Sequence, residues 1–220
     1  ALPYLRTQSS IYFNTCYLGR PREAQRDLED FSLWCGSMRV QGAQALLDLY
    51  KGWIALAEDR LEESRRHLEL AVPALEIGIA NRVPYALNAL AEVFLKSRSL
   101  EASCETALNA VIWNREHGNR EQLTCSLRLL AEALIAVGDL GRAGHYLAEA
   151  GRIARMGYFK PHLAWIYESY AHYWVRRGNV SLARDWSRNA YEAWKVMGNH
   201  YQAGRLLGSG DESLTVLGSA

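Results

Sequence analysis

Apolar and small residues along this chain recur at offsets of three, four and seven, which places them on one face of a helix. The clearest instance is AVGDLGRAGHYLAEAGRIA, residues 136–154, where Gly138 is followed by Leu140, Ala143, Leu147 and Ala150. The spacing returns as Gly19, Pro21, Ala24, Leu28 and Phe31, and as Asp59, Leu61, Ser64, Leu68 and Ala71. It returns again as Arg98, Leu100, Ser103, Ala107 and Ala110, and last as Gly178, Val180, Ala183, Ser187 and Ala190. The small anchor therefore falls at 24, 64, 103, 143 and 183, in steps of 39 or 40 residues. A repeat this regular predicts five copies of one structural unit.

Twelve residues before each anchor stand Tyr12, Gly52, Ala91, Ala131 and Ala171, all small except the first, so the first repeat fits this position less well. The unit reads as helix A, a tight turn, then helix B, with small residues where the two helices approach closely. Asp59, Ser99, Asp139 and Asn179 are placed to cap helix B, and Gly138 and Gly178 to end helix A in a left-handed turn. Gly78, Gly118, Gly157 and Gly198 close the B helices. Asn81, Asn119 and Asn199 are placed to start the next A helix, and Pro84 and Pro161 fit its first turn. Pro73 falls inside the second B helix, where a local bend rather than a break is expected.

A single helix pair cannot bury its apolar face alone, so the units must stack. The predicted fold is all-α: helix-turn-helix repeats in a right-handed superhelix, an α-solenoid, over residues 1–203. Its helix pairs are expected at 3–38, 41–80, 82–118, 120–158 and 161–199, leaving 204–220 as a partial repeat or a flexible tail.

At these residues the sequence resembles the tetratricopeptide repeat, best in LAEALIAVGDLGRAGHYLAEA. The ordinary repeat has about 34 residues, so a step near 40 implies longer helices. Repeats of this length look like those of large bacterial regulators of the maltose-activator type, with an ATPase module of the STAND class and often a LuxR-type DNA-binding domain. The resemblance implies a sensing or docking module. Its concave surface would be lined by helix A, which here presents Arg6, Phe13, Leu49, Trp53, Tyr85, Asn88, Glu92, Arg128, Glu132, Trp165, Glu168, His172 and Arg176. Co-chaperone repeats use asparagine and lysine on this face to clamp a C-terminal carboxylate. At the matching place this chain has Phe13, Trp53, Glu92, Glu132 and His172, which disfavours that role.

Composition narrows the partners. Hydrophobic residues make up 49% and charged residues 22%, as in a soluble, folded chain, and the net charge is +1. Residues 1–80 hold 9 basic and 11 acidic side chains and the remainder 16 and 13, so neither part has the basic excess of a nucleic-acid binder. No apolar run is long enough to span a bilayer. Cys16, Cys35, Cys104 and Cys125 form no CxxC pair and have no histidine at ligand spacing, so buried reduced thiols and a cytoplasmic setting are expected.

No catalytic motif is present: HExxH, GxSxG, GxxxxGK[ST] and GxGxxG are all missing, and the six histidines are scattered. The expectation is a non-catalytic module without metal or cofactor. It would take a protein segment or small effector in the groove, as the sensor arm of a larger bacterial regulator. A free-standing scaffold is the alternative. The aromatic-rich last repeat, with Trp165, Trp186 and Trp194, offers a surface for self-association.

Overall fold

The computed structural model describes residues 10–38 and 42–209, which form helices joined by tight turns. Residues 10–12 are helical and run into a π-helical turn, Phe13–Tyr17. Ten α-helices follow. They are α1 (Pro21–Met38), α2 (Ala43–Ala57), α3 (Leu61–Gly78), α4 (Val83–Lys96) and α5 (Leu100–Glu116), then α6 (Arg120–Val137), α7 (Leu140–Met156), α8 (Lys160–Arg176), α9 (Val180–Val196) and α10 (His200–Ser209). A 3-10 turn, Ala80–Arg82, leads into α4. Even-numbered helices take the A position and odd-numbered helices the B position. The structure is all-α among the described residues, and residues 204–209 continue the helix α10.

Two compact units divide the chain, Ala1–Ala110 and Val111–Ala220. Within the first, α1 packs on the π-helical turn and on α2, while α2 packs on both α3 and α4. Within the second, α6 packs on both α7 and α8, and α8 on α7 and α9, with α10 against α9. An A helix therefore lies against its own B partner and against the next A helix.

The anchors explain the close approach. Ala24, Ser64, Ser103, Ala143 and Ala183 are all buried, as are the residues seven positions later, Phe31, Ala71, Ala110, Ala150 and Ala190. Where the anchor is serine, its hydroxyl ties the pair together across the twelve-residue interval. Ser64 Oγ donates to the Gly52 carbonyl at 2.8 Å, and Ser103 Oγ donates to the Ala91 carbonyl at 2.8 Å. A buried hydroxyl demands such a partner, and the A-helix backbone supplies it.

The turn between helix A and helix B has one conformation in every repeat. Gly19, Asp59, Arg98, Gly138 and Gly178 all have positive φ, from 59° to 89°. This corrects the expectation that Asp59 caps α3. Asp59 stands in register with Gly138, not with Asp139, and so occupies the left-handed position itself. The residue before α3 is Arg60, whose side chain makes no capping bond. Asp139 and Asn179 do cap: their side chains accept from the amides of Arg142 and Leu182. Asn119 and Asn199 cap α6 and α10 in the same way, through the amides of Gln122 and Gln202.

One further expectation changes. Asn81 lies within the 3-10 turn rather than at the start of α4, because Ile79, at φ −145°, ends α3 and the chain needs one extra turn to reverse. Gly157 closes α7 as expected, at φ −90°, and the left-handed conformation falls on Tyr158, at φ 54°. A Cβ on Gly157 would lie 2.4 Å from the Phe159 ring, so a larger residue there needs that ring to move. Helix α3 runs through Pro73 without a break, and Pro84 and Pro161 sit in the first turns of α4 and α8. Replacing Asn179 with alanine is expected to cost about 1 kcal/mol, and with glycine only a few tenths, by comparison of urea midpoints.

Candidate functional site

In the first unit the A-helix face is aromatic and largely interior. Leu49 and Trp53 on α2 are buried, and Asn88 on α4 is buried as well. Tyr85 and Glu92, also on α4, are half-buried. Tyr12, Trp53 and Tyr85 form a triangle of rings with centroids 5.2, 6.3 and 6.1 Å apart. Each of these rings sits on the helix A of a different repeat, so the triangle is the seam between successive A helices. The Arg82 guanidinium lies over the Tyr85 ring at 5.5 Å, the geometry of a cation–π contact. Arg6 lies outside the described residues, and Phe13 falls within the π-helical turn.

Tyr12 is the residue that sequence reasoning set aside as a misfit. A large ring at a small-residue position signals that the close approach has been exchanged for an aromatic contact. Beside this seam, α2 and α3 share a polar pair. Asp48, which is buried, faces His67 Nδ1 at 2.9 Å and accepts from Gln44 Nε2 at 2.9 Å.

In the second unit the same face is charged. Glu132 on α6 meets His172 on α8, one full repeat later, with Nδ1 at 3.1 and 3.2 Å from the two carboxylate oxygens. Glu132 is 13% exposed and His172 62% exposed. Burial works to raise the Glu132 pKa. The charge and hydrogen bond of His172, a hydrogen bond from Ser169 and the charge of Arg128 outweigh it and bring the value to about 2. The Glu132 charge in turn raises the His172 pKa above the ordinary imidazole value.

A second carboxylate is deeper still. Glu168 on α8 is buried, accepts the Trp194 indole N–H at 2.7 Å, and takes a short ion pair from Arg205 on α10. Arg205 also donates to Gln202, at 3.0 Å. Trp165 is half-buried and meets the Trp194 ring edge-on at 5.2 Å. Arg128 is half-buried and Arg176 exposed. The structure thus brings Glu132 and His172 together, and Trp165 with Glu168 around Trp194.

Two members of this cluster escaped the sequence-based stripe. Arg205 lies in the stretch read as a partial repeat or tail, although Asn199 had marked the start of another A helix. Trp194 is 0% exposed, so it offers no surface for self-association. Trp186 is half-buried and stacks on Tyr170 at 4.5 Å, beside Tyr167 at 5.4 Å.

Other chemistry is sparse. The four cysteines are free thiols, and burial raises the Cys35 pKa. Among the described residues no group of three His, Cys, Asp or Glu side chains is arranged to hold a metal ion, and no helix is long and apolar enough to cross a membrane.

Compared with known proteins, the chain matches no family model and no curated protein. Solved structures do resemble it. One is a Rap protein complexed with competence and sporulation factor, at TM-score 0.77 and 16% identity, covering 94% of this chain and 57% of that one. Another is the apo form of RapI, at TM-score 0.69 and 10% identity, covering 94% and 75%. A third is a kinesin light chain protein of Podosopora anserina with nearly identical TPR-like repeats, at TM-score 0.60 and 14% identity, covering 89% and 97%. The chain spans little more than half the length of that first Rap protein. What it shares with all three is the fold: an all-α arrangement of TPR-like helical repeats.

Proposed function

We propose that this chain is a non-catalytic binding module whose A-helix faces receive a segment of a partner protein or a small effector. The observation that carries this reading is the second unit's A face. That face carries an exposed imidazole paired with one carboxylate of low exposure, an exposed arginine, the half-buried Trp165 and a second carboxylate of low exposure. Aromatic surface supplies contact area, and the fixed charges orient what binds. The fold likeness to a Rap protein solved with competence and sporulation factor supports the same reading. By the length of its repeats, the module serves as the sensing arm of a larger bacterial regulator in the cytoplasm.

The test is a random-peptide display selection against the full chain, followed by affinity measurements on the selected peptides. The double variant His172→Ala, Arg176→Glu changes only exposed side chains and should shift their affinities at least about tenfold, equivalent to about 1.4 kcal/mol. Peptides that bind the variant as well as the parent, with hydrogen-exchange protection confined to B helices, overturn the reading.

A free-standing scaffold is the second reading, favoured by the partly exposed cluster of Tyr167, Tyr170 and Trp186. Trp186→Ala then abolishes self-association in sedimentation velocity while leaving the helical signal intact. A chain that stays monomeric at all concentrations removes that reading.

A further inference from the structure

Glu132 and His172 make an unequal pair. The carboxylate is 13% exposed, while the imidazole that satisfies it is 62% exposed. A carboxylate held away from water needs a cationic donor, because an unpaired buried charge is strongly unfavourable. An imidazole with most of its surface in water has no such need and is not locked in place by packing. The pair also joins two A helices, α6 and α8, on the face that the proposed function assigns to the partner. The present inference rests on that reading.

We propose that Glu132 is a receptor for a cationic side chain of the partner, an arginine or lysine, and that His172 occupies it in the free protein. Both carboxylate oxygens face His172 Nδ1, so an incoming guanidinium or ammonium has to displace the imidazole to reach them. The displaced ring already lies at the surface and swings into solvent without opening the core.

The proton on His172 sets the competition. The charged groups acting on His172 are Glu132 from α6, Glu168 from its own helix and Arg205 from α10; Arg128 on α6 acts on Glu132. Among the described residues α7 and α9 add none to His172. Arg205 is engaged by Glu168, and Arg176, one turn along α8 from His172, points to solvent. Two arginines therefore balance two carboxylates, and the imidazolium is the surplus charge.

The direction of the pH effect follows from the raised His172 pKa. Its hold on Glu132 is complete below the ordinary imidazole value of about 6.5 and is lost as pH rises through the raised value. Glu132 stays ionised throughout, its pKa lying near 2. Cation binding should strengthen with pH, by at most about tenfold per unit, between about 6.5 and the raised value, and should not depend on pH below or above that window.

The experiment is an NMR titration of the full chain, following the His172 imidazole signal against pH. N-ethylguanidinium chloride is the probe, and sodium chloride at equal concentration is the reference. Guanidinium is expected to lower the His172 pKa beyond the sodium control, and Glu132→Gln to abolish that excess. His172→Gln alters only an exposed side chain, so it guards against misfolding of the Glu132 variant. It should bind the probe with an affinity that no longer depends on pH. Equal shifts from the two salts, or a folded His172→Gln chain that binds no guanidinium, overturn the proposal. A selected peptide that binds the A-helix face without lowering the His172 pKa also overturns it, and leaves the binding-module reading standing.

Discussion

Trp194→Ala should lose about 3–5 kcal/mol of stability, the range for truncating a fully buried aromatic side chain. Two effects combine at this position. The indole fills space between α8 and α9 and meets Trp165 edge-on at 5.2 Å. Its N–H is also one of the donors that satisfy Glu168, which lies almost out of reach of solvent. Trp194→Phe separates the two: it keeps most of the volume and removes the donor, and should cost about 1–3 kcal/mol. Urea unfolding monitored by circular dichroism gives both values. If alanine costs no more than phenylalanine, the packing contribution assigned to the ring is wrong.

The second large effect is steric and has an internal control. A Cβ on Gly52 would lie 2.6 Å from Leu68 Cγ and 2.7 Å from Cδ2. Leu68 is fully buried and the atom struck is its branch point, so the side chain cannot rotate away. Gly52→Ala is therefore expected to destabilise by about 1–3 kcal/mol. That sign opposes helix propensity, which favours alanine by roughly 0.5–1 kcal/mol. In a Leu68→Ala background the obstacle is gone and the same glycine substitution should turn neutral or stabilising. The double-mutant cycle reads the difference as a coupling energy. Additive effects would place the close approach elsewhere.

Much of the fold was legible because the helix period and the forty-residue step both report on burial. The anchors had to be small because a B helix crosses an A helix there, and Ser64 and Ser103 met that demand as well as alanine does. Cap positions were readable where an asparagine stood one residue after a left-handed glycine, as at Asn179. They were misread at Asp59, because aspartate is plausible both as a cap and as a left-handed residue. Only the register separates the two.

The site was legible to a lesser degree. Periodicity puts a residue on the A face but does not say whether that face is covered. Leu49 and Trp53 carry the same register as Glu168 and His172, yet Trp53 is interior where His172 is exposed. The difference comes from the neighbours one repeat away, Tyr12 and Tyr85 in one unit, Glu132 and Arg205 in the other. A contact forty residues distant leaves no mark on a local pattern.

The five turns between A and B helices carry a wider lesson. Glycine, aspartate, arginine, glycine and glycine hold one backbone conformation there, with φ between 59° and 89°. Left-handed geometry costs an ordinary L-residue about 1–2 kcal/mol, so the packed helices on either side impose it whatever letter is present. What recurs along this chain is thus an angle and a volume, and neither is spelled in the amino-acid alphabet. Such a message can be rewritten letter by letter without being changed. A lineage of these repeats can lose its spelling long before it loses its shape.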